Sequence, residues 1–147
     1  EYIYIDADKM STHKDDDKIV KVIAGKFENA EGPVKGHNVE PVYFDVEIDE
    51  GKEFNFDLPS THNSLIYLID GEIKVGDNKH DQAKNSTLII LTRGEKLKIS
   101  SLTKAKFLVI SGKPIGEPIA RGGPFVMNTK AEILQAVQDY HNGTFVK

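Results

Sequence analysis

Several residue types and patterns are absent from this chain. None of its 147 residues is cysteine, so neither a disulfide framework nor a thiolate metal site can form. A cysteine-free composition suits a reducing compartment, and we expect a cytoplasmic protein. No apolar run is long enough to span a membrane or to form the core of a signal peptide. Basic residues are not in excess, because the formal net charge is −4, and we expect no direct contact with nucleic acid or with a membrane.

The short motifs of several enzyme classes are missing too. The sequence contains no Gly-x-Ser-x-Gly elbow, no phosphate-binding loop, no dinucleotide fingerprint and no His-Glu-x-x-His pair. Its composition, with 39% hydrophobic and 29% charged residues, is that of an ordinary globular protein. The length is sufficient for the core of one domain.

Short runs with β-strand character occupy most of the chain. Apolar and polar residues alternate in residues 42–48 and again in residues 53–58. One face of each strand is therefore buried and the other is wet, as in an antiparallel sheet. Further strands are predicted at residues 19–24, 65–69, 72–75, 87–91, 97–100 and 107–110. This spacing indicates an all-β fold, either an antiparallel barrel or a sandwich.

Two polar segments are predicted to lie outside the strand cores. Asp70-Gly71 separates two apolar runs, and this dipeptide favours a tight primed turn, so we expect the flanking strands to pair as a hairpin. Residues 11–18 contain no apolar side chain to bury. They are predicted to form a solvated loop.

One helix is predicted near the C-terminus. Thr129 and Glu132 have the spacing of a capping box, in which each side chain bonds the backbone of the other residue. Gly143 is placed to end the helix. The expected apolar face consists of Ile133, Leu134, Val137 and Tyr140.

The segment of residues 112–129 connects the last strand to this helix. It holds three of the six prolines and four of the twelve glycines, which excludes regular helix or central strand. Its residues 117–129 read Glu-Pro-Ile-Ala-Arg-Gly-Gly-Pro-Phe-Val-Met-Asn-Thr and strongly resemble the C-terminal signature of the pirin family. Residues 22–25, 32–35, 139–140 and 143–145 also resemble parts of the second pirin domain.

The resemblance covers about residues 19 to 145 and implies an architecture. Pirins are bicupins, two β-barrels in tandem, so the chain is similar to the second half of such a protein. We expect a cupin-type antiparallel barrel or sandwich, jelly-roll-like, with one C-terminal helix. Residues 1–18 are predicted to be a linker or edge strand, residues 19–128 the barrel with the signature loop, and residues 129–147 the helix and tail.

The metal site of a cupin requires two histidines in His-x-His, a glutamate and a further histidine in a second motif. When the motif glycine is aligned with Gly71, the His-x-His positions fall near Asp57 and Pro59, and the carboxylate position falls near Ser64. Residues 87–98, where the second motif belongs, contain no histidine. One nearby histidine, His62, does not make such a site. We therefore expect no metal, no other cofactor and no catalytic residue in this chain, and iron or another divalent metal only in the missing N-terminal cupin.

Two groups of residues are candidate contacts. We expect an interface at Glu117, Arg121, Phe125, Val126, Met127 and Tyr140. An ion pair between Glu117 and Arg121 is predicted to brace the signature loop. His37 and His62 are candidate pocket residues, although a polar loop or strand-end role is favoured for both.

Three functions remain open. The first is a metal-free structural or binding module that supports a metal-bearing N-terminal cupin, which makes that half, or a second copy of this chain, the expected partner. The second, implied by the resemblance, is one part of a quercetin 2,3-dioxygenase whose active site lies in the other half. The third is a protein-interaction domain or transcriptional cofactor.

Overall fold

The computed structural model describes residues 4–35, 38–78 and 81–146. Contacts divide the chain into a first unit, Glu1–Pro114, and a second unit, Ile115–Lys147. A short 3-10 helix covers Ala7–Lys9. The strands are β1 (Ser11–Lys14), β2 (Lys18–Ala24), β3 (Lys26–Phe27), β4 (Ala30–Glu31), β5 (Val42–Ile48), β6 (Glu53–Asp57), β7 (Asn63–Asp70), β8 (Glu72–Val75), β9 (Gln82–Lys84), β10 (Thr87–Ile90), β11 (Lys96–Ser101), β12 (Ala105–Gly112), β13 (Ala120–Gly122) and β14 (Phe125–Met127), and the helix is α1 (Lys130–His141).

Two large antiparallel sheets and the small β3–β4 pair form the first unit. The larger sheet has the strand order β1-β2-β5-β12-β7-β10, and the smaller has the order β6-β11-β8-β9. Strands adjacent in a sheet are mostly distant in sequence, as when β12 pairs with both β5 and β7. The predicted all-β antiparallel architecture with a single C-terminal helix is confirmed. No helix in the described part of the chain is long and apolar enough to cross a membrane.

Alternation along the strands builds the core. In β5 and β12 every second residue is buried, so one face of each strand points inward. Five phenylalanines meet in the core, and the rings that contact each other have centroids 4.9 to 6.5 Å apart. They are Phe27, Phe44, Phe54, Phe56 and Phe107. These rings, with the aliphatic residues around them, fill the interior of the first unit.

The predicted hairpin at Asp70-Gly71 is wrong. Strand β7 pairs with β12 and β10 in the larger sheet, whereas β8 pairs with β11 and β9 in the smaller one. The chain therefore passes from one sheet to the other at Gly71, whose φ is +90°. An Asp-Gly pair signals a positive φ, and this corner needs that conformation as much as a hairpin turn does. A Cβ on Gly71 would also overlap the Lys104 carbonyl oxygen and lie 2.7 Å from Ala105 Cα.

The predicted solvated loop at residues 11–18 is corrected in its first half. Residues Ser11–Lys14 form the edge strand β1, paired with β2. His13 is half-buried, and its ring lies edge-on to Phe27 at 5.3 Å. Asp15 then reverses the chain, since its Oδ1 accepts hydrogen bonds of 2.9 Å from the backbone N–H groups of Asp17 and Lys18. Backbone pairing at a sheet edge does not require apolar side chains.

The second unit consists of the β13–β14 hairpin and α1. The predicted capping box is present: the Thr129 hydroxyl accepts from the Glu132 N–H at 3.2 Å, and the Glu132 carboxylate accepts from the Thr129 N–H at 2.7 Å. The Glu132 carboxylate also accepts from the Thr129 hydroxyl at 3.0 Å. This bond first, and the bond from the Thr129 N–H second, hold the pKa of Glu132 below its ordinary value. Gly143 follows the helix with a φ of +71°, as expected for its C-terminal end.

The packed face of α1 differs from the predicted one. Ala136 is buried, and Ile133 and Val137 are half-buried, but Leu134 and Tyr140 are each 66% exposed. The Ile133 side chain lies so close to Gly122 that a Cβ there would overlap it. The small residues Ala136 and Gly122 let the helix and the hairpin approach closely. The spacing of large apolar residues in the sequence does not predict this contact.

Replacing Gly71 by alanine should strongly destabilise the first unit. The added Cβ would meet backbone atoms at the sheet-to-sheet corner, and we expect a loss of about 3 kcal/mol or more in the free energy of unfolding. Gly76→Ala is the matched control, because its φ of +72° is similar but no atom lies within 4 Å of the new Cβ. That control should lose only about 1 kcal/mol. If urea denaturation shows the same loss of unfolding free energy for both variants, the close contact at Gly71 is not the cause of its destabilisation.

Candidate functional site

In the segment aligned with the His-x-His motif, the side chains that face the interior are hydrocarbon. Asp57 and Pro59, which align with the two histidines, are exposed. Their neighbours Phe56 and Leu58 are the residues that join the core. Neither a phenylalanine nor a leucine offers a lone pair to a metal ion.

The region of the second cupin motif is apolar on its inner side as well. Leu97 and Ile99 of β11 are buried, and Ile89 of β10 packs against the same core. Among residues 4–35, 38–78 and 81–146, no three His, Asp or Glu side chains are grouped to hold a metal ion. That the chain binds no metal stays a prediction.

A polar cluster lies at one end of the sandwich, where β7 begins and β12 ends. His62 is buried, and its Nδ1 lies 3.2 Å from the Ser111 hydroxyl oxygen. The Ser64 and Ser111 hydroxyl oxygens are 2.8 Å apart, because the two residues are partners in the β7–β12 register. Ser64 is the residue aligned with the cupin carboxylate. Two hydroxyls and an imidazole therefore stand where a metal-binding cupin has a glutamate.

His62 also borders an open cleft with a volume of about 540 Å³. Apolar walls are supplied by Val34, Pro41, Val42 and Pro59. Glu40 lies at its edge, with Oε2 3.9 Å from His62 Nε2. His62 is thus a pocket residue in this structure. His37, the other pocket candidate, lies outside the described residues.

The predicted ion pair of the signature segment is replaced by another contact. The Glu117 carboxylate accepts a hydrogen bond of 2.6 Å from the Asn128 side-chain amide. No salt bridge joins Glu117 to Arg121 in the described part of the chain. Both partners of the observed bond lie in the second unit, so Asn128, rather than Arg121, braces the segment between Glu117 and the helix.

The other interface candidates divide by their position in the hairpin. Phe125 and Met127 are half-buried, and the Phe125 ring contacts Tyr140 at 6.1 Å and Phe145 at 5.2 Å. Val126 points the opposite way and is 63% exposed. Val126 and Tyr140 therefore both expose apolar surface, Val126 on the face of the hairpin opposite to Phe125 and Tyr140 beside the Phe125 ring.

Sequence reasoning missed an apolar surface on the outside of the larger sheet. Two rows of side chains cross β5, β12, β7 and β10 on the face opposite to the core. This outer apolar face consists of Tyr43, Ile110, Leu65 and Ile90 in one row and Leu108, Tyr67 and Leu88 in the next. The signal was present in the sequence, because residues 65–69, 88–91 and 107–110 are unbroken apolar runs. Such runs indicate strands that are covered on both faces.

Charged groups border the outer apolar face. Lys106 Nζ lies 2.9 Å from Glu47 Oε1 and 3.6 Å from Asp45 Oδ2. The hydrogen bond from Lys106 lowers the pKa of Glu47, and the pKa of Lys106 is raised in turn. Asp45 Oδ1 is buried with no hydrogen-bond partner within the described chain. The face therefore combines an apolar centre with a charged corner.

Known structures define the class of this fold. An RmlC-like cupin from Shewanella frigidimarina matches with a TM-score of 0.53 over 79% of this chain and 95% of that one, at 11% identity, which shows the fold alone. A quercetin 2,3-dioxygenase from Acinetobacter baumannii matches with a TM-score of 0.85 and 31% identity, over 99% of this chain and 50% of that one. The first unit is thus a cupin-type sandwich.

The family follows from the sequence comparisons. Residues 43–146 match the model of the Pirin C-terminal cupin domain, and a pirin-like protein of Caulobacter vibrioides is 35% identical over 127 residues. The chain belongs to the pirin family. The match covers 86% of this chain and 45% of that relative, so the chain spans about half the length of the curated relatives it matches.

The His62 cluster should contribute measurably to stability. Ser111→Ala removes the hydroxyl that bonds both the buried His62 Nδ1 and Ser64, and a buried group left without a partner costs about 1 to 3 kcal/mol. Ser100→Ala is the control, since its hydroxyl makes only an exposed contact of 3.4 Å to Glu53. Thermal and urea unfolding should separate the two variants. If Ser111→Ala is as stable as the control, the cluster is not a stabilising network.

Proposed function

We propose that this pirin C-terminal cupin domain is a metal-free binding module that supports a second, metal-bearing cupin. The observation that carries the proposal is the interior of the sandwich. The positions aligned with the two motif histidines hold Asp57 and Pro59, which are exposed, and their neighbours on the inner side are Phe56 and Leu58. The position aligned with the carboxylate holds Ser64. Chemistry on a bound metal therefore belongs to another cupin, and the part left to this domain is contact with it.

The outer apolar face supports the proposed contact role. Tyr67, Leu88 and Ile90 are 37%, 55% and 78% exposed, and they adjoin one another across β7 and β10. A contiguous exposed patch of this kind on a folded domain marks an interaction site more often than scattered apolar residues do. The proposed partner is the N-terminal cupin half found in pirins or, in its absence, a second copy of this chain.

The signature segment supplies a second proposed contact. Val126 and Tyr140 each present exposed apolar surface, and the half-buried Phe125 and Met127 are further proposed members of the contact. Glu117 and Arg121 remain proposed polar members of the same surface. The cytoplasmic location expected from the cysteine-free sequence stays a prediction.

A second candidate function is a part in quercetin 2,3-dioxygenase activity. It is favoured by the Acinetobacter baumannii enzyme, one half of which resembles this chain over 99% of the chain's length. In this case the domain would hold the shape and position of the catalytic cupin, and the metal and the flavonol would bind in that other cupin. Both functions assign the same binding role to this chain.

The metal-free role is tested by elemental analysis. The purified chain, incubated in turn with iron(II), nickel(II) and zinc(II) and then desalted, should retain much less than one equivalent of each metal. The double variant Phe56→His/Ser64→Glu tests whether missing ligands are the reason for the absence of bound metal, because it introduces one histidine and one glutamate. If it folds, it should retain more metal than the unaltered chain. Stoichiometric metal in the unaltered chain, lost on substitution of core residues, would contradict the proposal.

Association should depend on the two apolar surfaces. Light scattering over a concentration series is expected to show self-association that is weakened by Ile90→Asp, because a carboxylate then interrupts the outer apolar face. Val126→Asp tests the signature segment at a position that is also exposed. Thr61→Asp, in an exposed polar loop, is the control and should change nothing.

The effects of the three variants on self-association show which of the two apolar surfaces forms the contact. An effect of Ile90→Asp alone selects the outer apolar face, and an effect of Val126→Asp alone selects the signature segment. A chain that stays monomeric at every concentration, and that also fails to bind the separately purified N-terminal cupin of a pirin, would contradict the binding role.

A further inference from the structure

The cleft beside His62 is not used by the metal-free role. It combines apolar walls with a buried polar group at its base, which is the ordinary composition of a small-molecule site. The His62 side chain is only 3% exposed. The volume of the cleft, about 540 Å³, lies within the usual range of ligand pockets, about 300 to 1,000 Å³.

The hydrogen bonds of His62 indicate what its outer nitrogen presents to the cleft. Nδ1 is bonded to the Ser111 hydroxyl, and Nε2 faces the Glu40 carboxylate at 3.9 Å. If Nε2 carried no proton, its lone pair would face a negative oxygen. When Ser111 donates to Nδ1, the ring proton is on Nε2 and this repulsion is avoided. We therefore assign Nε2–H as a donor, and it has no hydrogen-bond acceptor within the described chain.

Glu40 occupies the edge of the cleft without being bonded there. Its Oε2 is 3.9 Å from His62 Nε2 and its Oε1 is 3.9 Å from Lys113 Nζ, both beyond hydrogen-bond distance. The side chain is 66% exposed, and the residue has a positive φ of 46°, which is unfavourable for glutamate. A carboxylate is thus held loosely between two donors by a strained backbone.

We propose that the cleft binds a small organic carboxylate. The carboxylate of the ligand takes the place of the Glu40 carboxylate between His62 Nε2 and Lys113 Nζ. The apolar body of the ligand lies against Val34, Pro41 and Pro59. Glu40 acts as a tethered competitor, which swings outward when the ligand enters.

The remaining charges of the cleft suit a ligand with a single negative charge. Lys26 and Lys35 line it together with Glu31. Lys35 is paired with Glu31 at 2.9 Å, so that pair adds little net field. Lys26 in the cleft, and Lys113 beside Glu40 at its edge, then leave a modest positive balance once Glu40 has moved.

Benzoate is the probe, because it joins one carboxylate to a flat apolar ring of suitable size. In a titration followed by backbone amide NMR shifts, the full chain should show shifts confined to residues around Pro41, Pro59 and His62. Acetate, which lacks the apolar body, should bind several-fold more weakly.

Substitution of Glu40 gives the sharpest test. Glu40→Gln keeps the size and backbone of the residue but removes the competing charge, and benzoate should bind about 3- to 10-fold more tightly. Lys113→Gln should weaken binding by a similar factor. Glu50→Gln, an exposed residue of the turn before β6, is the control and should leave the affinity unchanged.

Two results would overturn the proposal. One is benzoate binding that Glu40→Gln weakens or leaves unchanged. The other is a set of shifts that avoids the cleft or that is equal for acetate and benzoate. All three variants are at exposed side chains, so the test does not depend on the folding of a His62 variant.

Discussion

The packing of aromatic rings between the two sheets is the constraint on which the rest of the structure depends. Phe27 stacks on Phe54 with centroids 5.3 Å apart, and Phe44 meets Phe56 edge-on at 4.9 Å. Each such pair adds about 0.5 to 1.5 kcal/mol beyond the burial of its area. The rings fill the space between the sheets, so in the described chain that part of the interior holds hydrocarbon and no metal-binding side chain.

A cluster of buried and half-buried polar side chains lies at one end of the sandwich. There the register of β7 and β12 brings Ser64 beside Ser111, and the loop before β7 adds His62. The inner nitrogen of the imidazole is satisfied by this network, whereas the outer nitrogen faces a cleft. The bond to Ser111 offsets part of the cost of burying the imidazole, and the other nitrogen is the donor that the proposed ligand would use.

The sequence predicted what depends on local order and missed what depends on distant partners. Alternation in residues 42–48 gave the inner face correctly, and the spacing of Thr129 and Glu132 gave the capping box. Asp70-Gly71 was misinterpreted, since a positive φ states how the backbone turns and not which strands pair afterwards. The burial of His62 was not predictable, because its partner Ser111 is 49 residues away.

The outer apolar face shows how a completed core can coexist with a need for a partner. Every second residue of β5 and β12 is buried in the core, so folding of the domain does not require an apolar outer face. Yet Leu65, Tyr67 and Leu108 keep that face apolar, although polar residues there would cost the core nothing. Residues such as Asp45 and Glu47 on the same sheet show that polar side chains are tolerated. An apolar surface that the fold does not need is the observation on which the proposed contact with another cupin rests.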